Sequence, residues 1–172
     1  SLPPNAQRVV GAFAAAGVAV HVSELPQSTH TAADAAAALG CGIEQIVKSL
    51  LFVSNVDKRP VLVLVTGAHM VDREILSSAT GSDIRMASAS EVKALTGFPI
   101  GGVAPVGHKT PMRVLIDQRV MVLSDVWVAA GTPNTVAKLS SEQLLRATHG
   151  TLVSVATGAA GAHNRGPHSQ VQ

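Results

Sequence analysis

The chain is predicted to fold as an α/β (α+β) domain built on a mixed β-sheet, and three observations predict it. Short apolar runs, such as Val-Leu-Val-Leu-Val at 61–65, have the length and β-branched content of buried strands. Between such runs lie segments with helical spacing, several opened by Ser or Thr with an acid or amide three residues later, the pattern of a capping box. Strand and helix signals are interspersed without strict alternation, which points to a mixed rather than an all-parallel sheet. The 172 residues, 47% apolar and 14% charged, suit one domain that buries its core without metal or disulfide staples.

Pro3-Pro4 opens a first helix, because proline is tolerated in an initial turn, and Gly17 stops it. Residues 18–22 alternate like a strand. Thr31, with Asp34 three residues on, starts a second helix over 32–39, punctuated by Gly40 and Gly42. Residues 43–47 read as a short helical turn, 49–53 as a strand, and Asp57-Lys58-Arg59-Pro60 as the turn into the strand at 61–65. A third helix runs from near Asp72 to Gly81, and 84–86 is a short strand. Ser88 and Glu91 box the start of a helix that reaches Thr96. Beyond a glycine-rich loop come strands at 113–116, 126–129 and 135–139, with a turn at Asp117-Gln118. Ser140 and Gln143 box a last helix to about Thr148, and 152–155 closes the domain as a strand. The domain is expected to span 1–156, with 157–172 a disordered Gly/Ala-rich tail.

Composition excludes several functions. With one Trp, three Phe and no Tyr, the core is aliphatic and a sheet of stacked aromatics for RNA is ruled out. A net charge of +2 gives no footprint for duplex DNA. The single Cys41 excludes an internal disulfide and a cysteine metal cluster, and no HExxH or Cys/His spacing predicts a metal; no cofactor is expected. No apolar run reaches the roughly 18 residues of a membrane span, so a cytoplasmic protein without a membrane partner is expected.

Two places carry chemistry. The loop Gly101-Gly102-Val103-Ala104-Pro105-Val106-Gly107-His108 can bring main chain close to a ligand and aim backbone amides at a carboxylate, phosphate or oxyanion; it can equally be an ordinary turn. Lys48 interrupts the apolar run 46–53, so it either snorkels from a strand face or points its ammonium into a pocket, where it needs an anionic partner. Ser49 adds a hydroxyl beside it. His108 can touch a ligand there or stand exposed. The segment Ala129-Ala130-Gly131-Thr132-Pro133-Asn134 is either a second pocket wall or a plain strand-to-strand loop. No nucleophile elbow, P-loop or dinucleotide fingerprint is present.

Taken in order, these motifs resemble the YbaK-like aminoacyl-tRNA deacylases, relatives of the editing domain of bacterial prolyl-tRNA synthetases. Thr31 to Ala36 with Leu39-Gly40, Gln45 to Phe52, Val71-Asp72, Glu91-Val92 with Thr96-Gly97-Phe98, Gly101 to Gly107, Ile116-Asp117 and Ala130-Gly131 carry the resemblance, spanning about 28–155. It implies a mixed sheet curled into a partly open barrel with surrounding helices. It also implies hydrolysis of the ester joining a wrong amino acid to the 3′ end of a tRNA, with prolyl-tRNA synthetase as a partner. By the same resemblance, Lys48 with the Gly101 and Gly102 main chain is catalytic. Thr31, Ser49, Val103, Pro105, Gly107, His108, Ala130 and Gly131 then bind substrate. Since an ester is already activated and no Ser/His or Cys/His pair is evident, hydrolysis is expected to be substrate-assisted. The chain departs from some relatives at Ala129, Thr135 and Val136, where a hydroxyl and an acid are found, which leaves Cys and Ala on proline tRNA as leading substrates. The alternative is a noncatalytic module of the same fold that binds tRNA or a synthetase.

Overall fold

The computed structural model describes residues 1–27, 29–159 and 172. Helix α1, Pro4–Ala15, buries Ala6, Val9 and Phe13 along one face. The strand expected at 18–22 begins only at its last residue: β1 is Val22–Glu24. Val18 is instead a core plug, 1% exposed, so the apolar alternation here serves burial and not ladder pairing. Helix α2, Ala32–Leu39, starts where its capping box predicts, and a single 3-10 turn at Ile43–Gln45 leads into β2, Ile46–Ser54.

Strand β3, Pro60–Thr66, returns as a hairpin, and β4, His69–Val71, follows a tight turn. Helix α3, Arg73–Thr80, β5, Ile84–Met86, and α4, Ala89–Thr96, lie as their signals indicate. After the glycine-rich loop come β6, Arg113–Asp117, β7, Asp125–Ala129, β8, Thr135–Ser140, and α5, Ser141–Thr148. The expected strand at 152–155 ends early, as β9, Thr151–Val153, and a separate strand, β10, Ala156–Ala159, follows it. Strand β10 pairs antiparallel with β4 and runs three residues past the expected limit at 156, to Ala159. The rest of the expected tail, 160–171, lies outside the described residues.

The main sheet runs β1-β8-β7-β2-β3-β6-β9, with β5 also on β2. It is mixed: β2/β7, β3/β6 and β6/β9 are parallel, and the other pairs antiparallel. It does not close, since β1 and β9 end the series among the described residues. Successive residues of β2 face opposite sides. Val47, Leu51 and Val53 join the core under α1, α4 and α5 with Phe13, Phe98 and Leu144. Leu50 and Phe52 join the core on the other face with Leu76, Ile84 and Leu115. Both faces of the central strands are thus covered, which explains their nearly continuous apolar sequence.

Asp117 holds the chain between β9 and β10. Its carboxylate, 2% exposed, accepts from Arg119 N at 2.9 Å and from the amides of Val155 at 2.9 Å and Ala156 at 2.8 Å. Substitution Asp117→Ala leaves three N–H groups without their acceptor, of which that of Val155 is buried, and is expected to cost about 1–3 kcal/mol, read as a lowered urea midpoint. Asp117→Asn keeps an acceptor oxygen and should lose less. Equal stability of Asp117→Ala and wild type would contradict this role.

Candidate active site

A cavity of about 420 Å³ opens between the N-terminus of α2, strand β2, the start of the glycine-rich loop and the end of β7. Its wall includes Lys48, Ser49, Thr31, Gly101 and Val103, which the sequence reading had singled out. Lys48 is partly buried, and its Nζ donates to the main-chain oxygen of His69 in β4 at 2.7 Å. Among the described residues the salt bridges are Arg59–Asp57 and Arg85–Glu91, so Lys48 has no carboxylate partner. Burial pulls its pKa down to about 8. One N–H of the ammonium is held by His69, and the other two remain for a ligand.

Thr31 caps α2 at the cavity mouth. Its Oγ1 accepts from Asp34 N at 3.0 Å, and the Asp34 carboxylate accepts from the amides of Thr31 and His30. The His30 amide first, and the Thr31 hydroxyl next, hold the Asp34 carboxyl below its ordinary range. Ser49 Oγ is buried and has no hydrogen-bond partner among the described residues.

The glycine loop divides its labour. Gly101 is exposed on the cavity at φ +85°, and Val103 forms its floor. Gly102 is not on the wall. Its N–H is committed to Pro99 O at 2.9 Å, and its carbonyl accepts from Gly131 N at 3.0 Å. A Cβ at Gly102 would stand 2.7 Å from the Thr132 main chain. Glycine is required here so that two loops can touch, and the amide is not free for a ligand. Gly131, at φ +102°, is in turn held by Asn5, whose Nδ2 donates to its carbonyl at 3.1 Å. Ala130 is fully buried behind the wall, while Ala129 and Pro133 reach the cavity.

The rest of the loop turns away. Pro105 and His108 line a separate depression with Lys109 and Thr148. The His108 Nε2 lies 2.7 Å from Ala104 O, and its ring meets Phe98 edge-on at 6.3 Å. Burial lowers its pKa. His108 thus bonds to its own loop, on the side of the second depression and away from the main cavity. Gly107, at φ +79°, packs on Ala12 and Phe98. Trp127 is the residue that sequence reasoning missed: it lines the cavity, packs against the cluster that holds Ala35 and Ala36 of α2, and pairs with Ile46. Its being the sole Trp, two residues before the Ala129–Asn134 loop, was the available signal. Among the described residues no group of three His, Cys, Asp or Glu side chains is placed to hold a metal, and no helix is long and apolar enough to cross a membrane.

Residues 26–147 match the family described as the aminoacyl-tRNA editing domain, and the chain belongs to that family. The uncharacterised protein YwhH of Bacillus subtilis is 31% identical over 123 residues, 72% of this chain and 78% of that one. The proline–tRNA ligase of Thiobacillus denitrificans is 35% identical over 112 residues, 64% of this chain and only 19% of the ligase. A crystal structure of a proposed trans-editing enzyme for prolyl-tRNA synthetase superposes with a TM-score of 0.87 at 41% identity, covering 92% of this chain and 100% of that one. The chain thus corresponds to about a fifth of the ligase and to the whole of the smaller relative.

Lys48 also makes stability depend on pH. Its pKa is about 8 in the folded protein against 10.5 otherwise, so between those values the unfolded chain binds more protons and stability rises with pH. Relative to Lys48→Met, wild type should gain up to about 3 kcal/mol from pH 8 to 10.5, measured by urea unfolding across that range. A wild-type-minus-variant difference that stays flat would refute the buried ammonium.

Proposed function

We propose that the protein is an aminoacyl-tRNA deacylase that acts in trans on mischarged proline tRNA, with the Cys and Ala esters as leading substrates. The observation that carries this reading is a lysine without a carboxylate partner opening on the same cavity as Gly101 and Val103. The cavity volume of about 420 Å³ falls within the roughly 300–1,000 Å³ of small-molecule sites and suits an aminoacyl group with its terminal ribose. Membership of the editing family, and likeness to a proposed trans-editing enzyme, support the same reaction.

Water adds to the acyl carbon, the carbonyl electron pair moves onto oxygen, and collapse breaks the bond to the ribose O3′. The water's proton ends on that leaving oxygen. The ammonium of Lys48 offsets the negative charge that develops on the oxyanion or lies on the flanking phosphate. Among the described residues the hydroxyl–imidazole contact is Thr66–His69, and neither residue is on the cavity wall. Proton transfer is therefore assigned to water and the substrate's own ribose hydroxyl; in a cysteinyl ester the substrate's thiol sulfur attacks the acyl carbon in place of water, its proton passing to the leaving O3′ as a cyclic thioester forms, which water then opens. Trp127 supplies the aromatic surface for the terminal base. The work is placed in the cytoplasm, where tRNA is charged, with prolyl-tRNA synthetase as a source of added tRNA affinity.

Incubation with Cys-, Ala-, Ser- and Pro-tRNA(Pro) should release the noncognate amino acids. Lys48→Ala should lower kcat/KM by about 10²-fold, the scale of one charged contact to a developing oxyanion. Tight binding of the whole panel without turnover would instead identify a binding module.

A further inference from the structure

The cavity touches Ile46, Val47, Lys48, Ser49 and Leu50, consecutive residues of one strand. Alternate residues of a strand face opposite sides of the sheet, so a hollow that meets all of them lies off the strand's edge and not over a face. One edge of β2 is filled by β3 along its whole length from Val47 to Val53. The other is shared: β7 pairs only with Ile46 and Val47, and β5 only with Phe52 to Ser54. Between them the β2 main chain has no strand neighbour.

The direction of its polar groups follows from the ladder. Leu51 O accepts from Ala87 N at 2.9 Å, so the N–H and C=O of Leu51 point away from β3. In an antiparallel pair this direction repeats every second residue, so Ser49 points its N–H and C=O the same way, into the cavity. Ser49 is partly exposed although its Oγ is shut off from solvent, so its accessible surface is main chain and Cβ. The neighbouring position already displays the recognition: the Gln172 side-chain amide accepts from Leu51 N and donates to Leu51 O at 2.9 Å.

We propose that the main-chain N–H and C=O of Ser49 form a docking edge on which the substrate's aminoacyl group lies as a one-residue β-strand. The acyl carbonyl accepts from Ser49 N–H, and the α-ammonium donates to Ser49 C=O, as in a hydrogen-bonded antiparallel pair. The inference rests on the aminoacyl-ester reading above and relocates the oxyanion donor, because the Gly102 amide is committed to Pro99. As the acyl carbon becomes tetrahedral, its oxygen takes the carbonyl electron pair and the Ser49 contact shortens. On this edge a simple acyl ester, which lacks the donor for Ser49 C=O, should be hydrolysed more slowly than an α-amino acid ester.

The test uses 3′-alanylamino-3′-deoxyadenosine, a nonhydrolysable amide analogue, with the intact protein. In the free protein, Ser49 N–H should exchange with solvent quickly while Leu50 N–H, in the β3 ladder, exchanges slowly. Saturation with the analogue should slow Ser49 exchange at least about tenfold and leave Leu50 unchanged. In parallel, an amide-to-ester variant with L-glyceric acid in place of Ser49 removes that donor and otherwise only weakens the Lys48 carbonyl, which faces β3 and not the cavity. It should deacylate Ala-tRNA(Pro) about 10²–10³-fold more slowly in kcat. If the analogue binds and wild type turns over, yet Ser49 exchange and the ester variant's rate are unaffected, the docking edge is overturned and the deacylase reading stands. If neither binding nor turnover of any ester in the panel is seen, both are overturned.

Discussion

The structure depends on a parting of strands. Strand β2 carries β3 along one side without interruption, but on the other it gives up β7 after Val47 and takes up β5 only at Phe52. Of the four residues between, Leu51 is met by Ala87 and the Gln172 side chain, and Ser49 is left facing the gap without a strand neighbour. An open edge is a row of unsatisfied donors and acceptors, and proteins ordinarily cover it. Here it is walled in by α2, Trp127 and the glycine loop, so the unpaired main chain becomes the side of a cavity.

The other features of the site follow from that parting. Lys48 sits where the sheet opens, and β4, held to β10 and through it to Asp117, delivers the His69 carbonyl that fixes the ammonium. Without a carboxylate beside it, a partly buried ammonium is held at some cost, and an anionic ligand or transition state offsets that cost. The glycine loop completes the enclosure by close packing: Gly102 against Thr132, and Gly131 against Asn5 of the first helix. Residues distant in the chain thus set the width of the opening, and Gly102 and Gly131 are the points where the loops touch.

Much of the architecture was legible because local signals agreed with the final packing. Capping at Thr31, Ser88 and Ser140 started helices where expected, and the run 61–65 became the most buried strand. Strands β4 and β10 were not legible. Each is three or four residues long, and they pair with each other across 85 residues of chain, so no periodicity announces them. For Lys48 the choice between solvent and pocket turned on a carbonyl from β4, which no pattern around residue 48 encodes. His108 and Gly102 share a loop motif with Gly101, yet positive φ and loop contacts sent one to the cavity and the others into the frame.

The central claim is that the Lys48 ammonium is desolvated at this opening and is held by a carbonyl, with no carboxylate. A heteronuclear NMR titration that follows the Lys48 side-chain Cε and Nζ signals reads it directly. A midpoint near the value of about 8 is predicted, well below the ordinary 10.5. A midpoint at the ordinary lysine value would place the amine in open water and contradict the account.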